Sequence, residues 1–261
     1  FDNFFEKLGY KELVITTKSC LTDDWNYHEK FKGWFYLNKL FTGEKKEYYK
    51  NGNLSFKKTY NSNGKREGKW VWYYENGNIK RIENHLNGDF HGESLSYFED
   101  GNIKWIRNLL HNEDQGESIE YYENGNIKKI DNYKNNELEG KSVWYYENGE
   151  RKMIENYSNG LRNGELIMYY ESGNIESKFN YVDGKLQGNG EFYFENGKIE
   201  GYIYFLNNKY EGDYRRYYEN GEIEKTGTYK NDLKNGIFKF YNKNGEVEKI
   251  ELYENGEIIE N

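Results

Sequence analysis

The sequence contains no proline and no alanine, and only one cysteine, two methionines and four histidines in 261 residues. Each shortage excludes something. Without alanine, the best helix former, a helical bundle is a poor reading. Cys20 has no second cysteine to pair with, and nothing around it has metal-ligand spacing. The imidazoles, His28, His85, His91 and His111, find no Ser–His–Asp or Cys–His set, and no glycine-rich loop leads into a helix to cradle phosphate. No apolar run reaches the roughly 18 residues of a membrane-spanning helix. There is no basic stripe either, and the formal net charge is −8. That argues against nucleic acid and against anionic membranes, and it leaves a basic protein partner open. No catalytic residue, cofactor or metal is expected.

What is abundant is glycine and tyrosine, 28 of each. Aromatics make up 19% of the chain, so it is not ordinary disordered chain despite 31% charged residues. The string Tyr-Tyr-Glu-Asn-Gly, or a close relative, recurs. Its glycines fall at Gly52, Gly77, Gly101, Gly125, Gly149, Gly173, Gly197, Gly221 and Gly245, with one step of 25 and then steps of 24. A second glycine lies nine residues before each, as at Gly68, Gly116 and Gly140. A third series holds only Gly, Asn or Asp, as at Gly88, Asn112, Asn136 and Asp232. Internal repetition at a fixed period marks a repeat architecture.

Asn-Gly between β-formers predicts a hairpin with a two-residue type I′ turn, in which both central residues need positive φ. The third series consists of residues that tolerate a left-handed backbone. Each unit therefore holds two turns and two strands. The expected fold is all-β: an elongated, twisted, single-layer antiparallel sheet of about nine 24-residue hairpin repeats, on the order of 18 strands. A turn at Asn124–Gly125 pairs Tyr122 with Ile127, Glu120 with Lys129, Ile119 with Ile130 and Gly116 with Tyr133. The last pair lays an aromatic over a bare glycine; His85 takes that slot opposite Gly68. The 13-residue spacing between turns leaves room for a bulge, which would flip the faces beyond it.

Alternation sorts the side chains into two faces. One hardly changes between repeats: Val71, Tyr73, Ile82, then Ile119, Tyr121, Ile130, then Val143, Tyr145, Ile154. It reads as the structural stripe. The other varies in its middle. It carries Trp70 and Trp72 with Arg81, then Trp105 between Ser96 and Ser118, then Glu120 with Lys129, then Trp144 with Met153. Two readings are open for these aromatics. They are a hydrophobic shield for a thin sheet, or they are a protein-binding groove made of Trp70, Trp72, Arg81, Trp105, Trp144 and Met153.

Residues 1–35 break the period. Phe1, Phe4, Phe5 and Leu8 have helical spacing and Leu13–Thr17 reads as a strand, so this segment is expected to cap the edge of the repeat domain, 36–261. A partner-binding helix is the alternative.

The unit Gly-x-x-x-x-Tyr-Tyr-Glu-Asn-Gly-Asn-Ile, clear at Gly68–Ile79, Gly116–Ile127 and Gly164–Ile175, resembles the bacterial variant of the MORN repeat. The likeness covers about residues 33–261 and extends to the YwqK-type antitoxin group. It implies a non-enzymatic protein that binds protein, an antitoxin or immunity protein that occludes a toxin, the partner being a basic toxin domain. The alternative it implies is an exported bacterial surface protein for host-cell adhesion or scaffolding. Location follows function: the cytoplasm for an antitoxin, export if a leader precedes Phe1.

Overall fold

The structure, a computed structural model, describes residues 10–15, 31–36 and 41–260. Every regular element among them is a β-strand, and all pairing is antiparallel. The chain falls into two units. One comprises Phe1–Ser94 with Glu99–Gly101, the other Leu95–Phe98 with Asn102–Asn261.

In the first unit Gly43–Tyr48, Leu54–Tyr60, Gly68–Tyr73, Ile79–Leu86 and Asp89–Phe90 follow one another, each paired with the strand before it. Tyr10–Ile15 and Phe31–Tyr36 form a two-stranded sheet of their own, with Leu13 opposite Gly33. The expected strand over 13–17 overlaps Tyr10–Ile15. Its end at Thr17, and the helix expected over 1–8, lie outside the described residues. In the second unit the strands from Ile103–Leu110 to Glu257–Glu260 also pair in sequence order.

The register matches the expected pairing from Gly116 opposite Tyr133 to Glu120 opposite Lys129. It departs at the turn. Tyr121 faces Ile127, with a bulge between Glu120 and Tyr121, so the pairing of Tyr122 with Ile127 is wrong. The reason is the turn type. Tyr122 N–H donates to Asn126 O at 2.9 Å and Gly125 N–H to Tyr122 O at 3.0 Å, which encloses three residues. Only Gly125 has positive φ, at 88°. Three-residue hairpin loops place a left-handed glycine last. Asn124 instead accepts the Asn126 N–H on its side-chain Oδ1 at 2.9 Å, an Asx turn.

The two-residue type I′ turns are in the third series. Asn135 and Asn136 have φ of 52° and 67°, and Lys134 pairs directly with Glu137. Short strands such as Glu137–Leu138 follow these turns, so a repeat holds more than two strands. The strand then breaks at the second-series glycine. Tyr133 faces Leu138 but Ile130 faces Val143, so two extra residues are taken up around Gly140. Because the excess is two, the faces do not flip. It does shift the pairing, and Trp105 faces Glu120 rather than Ser118. Asn132 fills the gap by donating its side-chain amide to Lys141 O at 2.9 Å.

Gly140 is thus glycine because its φ is +79°, not because Tyr157 needs bare backbone beneath it. A Cβ at Gly140 would meet no atom within 4 Å. The aromatic pairing opposite each such glycine is real, but it accompanies the bulge rather than causing the glycine.

Adjacent repeats are joined by the second tyrosine of each Tyr-Tyr pair. Tyr122, Tyr146 and Tyr170 donate their hydroxyls to the backbone carbonyls of Tyr145, Tyr169 and Tyr193 at 2.8, 2.7 and 2.7 Å. Burial pushes the Tyr146 and Tyr170 phenols above their ordinary range. The turn amides do the same work: Asn124 and Asn126 both donate to Glu147 O, at 3.1 and 2.8 Å.

Two outcomes follow for stability. Gly140→Ala should lower the unfolding free energy by about 1–2 kcal/mol, since only the left-handed backbone resists it, and Gly140→Asn by less. Equal midpoints in urea for both variants and the wild type would refute the backbone explanation. The Tyr193 hydroxyl donates to Glu191 at 2.6 Å, and that bond with burial pushes its pKa up to about 12. The unfolded phenol ionises near pH 10. The contribution of Tyr193 should be whole below about pH 10 and lost as pH rises toward about 12. Thermal melts of Tyr193→Phe should therefore lie below wild type at pH 8 and converge on it across that window.

Candidate protein-binding face

The variable face carries Ser118 and Glu120 with their partners Asp131 and Lys129, then Ser142, Trp144, Met153 and Glu155. The structure divides it into rows that run across the strands. A deep row contains Ser142, Glu155, Leu166, Ile203 and Phe238, all buried. Burial is concentrated on the variable face in this row. Ile237 and Ile250, on the constant face, are 54% and 48% exposed, whereas Phe238 is fully covered. The cause is side-chain size matching on the variable face. A methyl group on Gly227 would run into the Phe238 ring, and one on Gly190 would lie 2.6 Å from Phe205. Rings fill the spaces that glycines leave, and close packing of this kind buries a row.

The polar members of the deep row have polar or charged neighbours. Ser142 Oγ donates to Asp131. Glu155 lies 2.7 Å from Arg162 and accepts from the Tyr157 hydroxyl at 2.9 Å.

Beside the deep row runs a more exposed contact row in the second unit. Trp105 faces Glu120, which faces Lys129, which faces Trp144. Trp144 faces Met153, which faces Met168, and the row continues through Ser177 to Phe192 and Gly201. Trp144, Met153 and Met168 are half-buried neighbours on successive strands. The Lys129 ammonium stands 4.2 Å over the Trp144 ring and 2.6 Å from Asp131. The Arg107 guanidinium stands 4.5 Å over Trp105. Such stacking covers a ring with a group that a partner can displace or share.

The sequence-derived residues divide between the units. Trp105, Trp144 and Met153 belong to this row. Trp70, Trp72 and Arg81 lie in the first unit. Trp70 is 8% exposed, donates Nε1–H to Thr59 O at 2.8 Å, and packs 4.7 Å from His85 and 5.2 Å from Tyr60. That is the environment of a core residue, so the shield reading describes Trp70. Trp72 is half-buried, with the Arg81 guanidinium 4.6 Å above it and Arg81 Nε 3.1 Å from Glu83. His85 sits opposite Gly68 as expected, buried, with Nε2 3.3 Å from the Glu83 carboxylate.

The sequence reading passed over Met168, Phe192 and the surroundings of Gly201. The signal was present. Gly201 belongs to none of the three glycine series. It stands where other repeats place Arg81, Trp105, Lys129, Met153 and Ser177.

Among the described residues no group of three or more His, Cys, Asp or Glu could hold a metal ion. No described helix is long and apolar enough to cross a membrane.

Comparison with known proteins supplies the family. The MORN repeat variant model matches nine times, over residues 41–65, 66–87, 90–104, 114–135, 138–159, 162–183, 186–207, 210–231 and 234–257. No curated protein matches the chain. Among solved structures, a TcdB2–TccC3 crystal structure aligns at 13% identity over 82% of this chain and 13% of that one, with a TM-score of 0.21. A Photorhabdus luminescens Tc holotoxin pore aligns at 12% identity over 75% of this chain and 14% of that one, with a TM-score of 0.18. At those scores the likeness carries no argument about fold or function, and this chain spans only a small part of either. The repeat matches cover most of the chain, and they agree with the hairpins, bulges and tyrosine bonds described above: the chain belongs to the MORN repeat variant family.

Proposed function

We propose that the chain is a non-enzymatic protein-binding module that engages its partner through the contact row of the second unit. MORN repeats are a non-catalytic repeat type that binds protein or membrane. The observation that carries the reading is the run Trp144, Met153, Met168, three large apolar side chains left only half-buried beside a deep row that is closed. Large aromatic and thioether side chains in the middle of a polar surface are what interface centres are made of.

The partner in this proposal is a toxin with a basic surface, held as an immunity protein holds it, by steric cover. Two features support that choice. The formal net charge is −8, and the turns carry exposed Glu123, Glu147, Glu171, Glu195 and Glu219. Acidic groups at the periphery speed encounter with a basic partner, while the apolar centre governs how long it stays.

The test is affinity capture from the source cell with two baits, wild type and Trp105→Ser/Trp144→Ser, both checked for folding. Trp70 is left intact because it is a core residue. The expected result is one protein held by wild type, lost with the variant, and inhibited by stoichiometric wild-type chain in its own activity assay. Capture that survives the double substitution would overturn the contact row. A captured protein whose activity is unaffected by binding would overturn the toxin reading and favour adhesion or scaffolding.

A further inference from the structure

The asparagines of the three-residue turns are held in two different ways. At Asn124 the side chain is tied at both ends: Oδ1 accepts the Asn126 N–H at 2.9 Å and Nδ2 donates to Glu147 O at 3.1 Å. Asn51, Asn148 and Asn220 are tied alike, with Nδ2 donating to Glu75 O, Glu171 O and Lys243 O at 2.9, 3.2 and 2.9 Å. Their Oδ1 atoms accept the N–H two residues on. Two turns depart from this. In Asn61-Ser62-Asn63-Gly64 and Asn242-Lys243-Asn244-Gly245 an asparagine stands where the other turns have tyrosine or phenylalanine. That first asparagine takes over the Asx bond. Asn61 Oδ1 accepts the N–H groups of Asn63 and Lys65 at 3.0 and 3.1 Å, and Asn242 Oδ1 those of Asn244 and Glu246, both at 3.0 Å. The side chains of Asn63 and Asn244 are exposed and, among the described residues, make no hydrogen bond.

The backbone is also least tied at these two places. Gly64 N–H donates to Asn61 O at 2.9 Å and Gly245 N–H to Asn242 O at 3.0 Å, bonds closed within the turn itself. Other Asn-Gly steps are held by a second hairpin or by the ladder. Gly88, Gly160 and Gly256 donate to Arg66 O, Leu138 O and Lys234 O at 2.9, 3.0 and 2.9 Å. Asn163 and Asn235 donate their N–H to Asn156 O and Thr228 O, and Gly190 is paired with Ile203 within a strand. An asparagine before glycine is open to attack by the glycine nitrogen, because no β-carbon hinders the approach and the glycine backbone rotates freely. The attack needs the side chain to swing onto that nitrogen. Hydrogen bonds that must first break slow it, and Asn63 and Asn244 have none to break.

We propose that Asn63 and Asn244 are sites of spontaneous deamidation, the points at which this chain gains negative charge as it ages. In the step the nitrogen of Gly64 or Gly245 gives up its proton to solvent hydroxide and bonds to the asparagine Cγ. The Cγ–Nδ2 bond breaks, and the amide leaves as ammonia with a proton taken from water. Water then opens the five-membered imide at one carbonyl to aspartate or at the other to isoaspartate. The sum is one water consumed, one ammonia released and one acid group gained per site. The stacking bonds between repeats use neither side chain, so conversion leaves them intact, whereas conversion of Asn124 would remove a donor to Glu147 O.

The experiment holds the full chain in mildly alkaline heavy-oxygen water and reads the digested peptides by mass spectrometry, with enzymatic methylation of isoaspartate as a second readout. Asn63 and Asn244 should convert about tenfold faster than Asn51, Asn124, Asn148 and Asn220, the factor that one to two lost hydrogen bonds correspond to. In denaturant the rates should converge, since the turn bonds are then gone. Asn242→Tyr hands the Asx bond back to Asn244 and should slow its conversion several-fold, and Asn61→Tyr should do the same for Asn63. Thermal melts check that both variants are folded. Equal rates at Asn63, Asn244 and Asn124 in the folded chain would overturn the proposal. A difference that persists in denaturant would overturn it too, by assigning the effect to local sequence. So would unchanged rates at Asn244 and Asn63 in the folded tyrosine variants.

Discussion

The fold depends on backbone that turns left-handed at fixed intervals. In most repeats one glycine ends a three-residue turn, two Asn, Asp or Gly residues make a type I′ turn (His111 takes the first place beside Asn112), and one more glycine absorbs the bulge. L-residues with a β-carbon resist that conformation by about 1–2 kcal/mol apiece, so Gly, Asn and Asp predominate where it occurs. Between those points the chain is free to be any good strand former. Proline would fix φ near −65° and remove a ladder donor, so a sequence that is mostly ladder and left-handed turn has little place for it.

Stacking of one repeat on the next is likewise a backbone matter. The tyrosine hydroxyls and turn asparagines of one repeat donate to carbonyls of the following one. Each such bond contributes about 1 kcal/mol net. Because the acceptors are main-chain atoms, the stacking makes no demand on what the variable face carries. That face can then change its chemistry along the chain. Its deep row is polar at Asp131, Ser142 and Glu155 and apolar at Leu166, Ile203 and Phe238. The polar stretch is held by pairing and hydrogen bonds, the apolar stretch by ring-to-glycine packing.

Cations over rings are the recurring device on this face, at Trp72, Trp105, Trp144 and Tyr253. They let a sheet rich in aromatics present a wetted surface without giving up the contact area of the rings. Opposite Gly201 the device is interrupted, since the Arg216 guanidinium is held by Glu200 and Glu224 instead of lying on a ring.

The sequence by itself determined the repeat, the hairpins, the all-β class and the register from Gly116–Tyr133 to Glu120–Lys129, because periodic Gly and Asn report directly on backbone conformation. It also sorted the side chains between the bulges to the correct faces, since the bulge at Gly140 consumes an even number of residues, but the bulge between Glu120 and Tyr121 sets Ile127 opposite Tyr121 instead of Tyr122. It misassigned the turn types, because Asn-Gly suits both a type I′ turn and the end of a three-residue loop, and only the hydrogen bonds of Tyr122 distinguish them. Which face is covered was decided by tertiary structure alone. Burial of Trp70 beside His85 and of Phe238 over Gly227 depends on how side chains fit diagonally across paired strands, and a one-dimensional alternation of faces contains no such distances. The same holds for the surroundings of Gly201. Gly201 is visible in the sequence as an off-series glycine, but the rings of Phe192, Tyr210, Tyr214 and Tyr229 around it come from three different strands and meet only in the folded sheet.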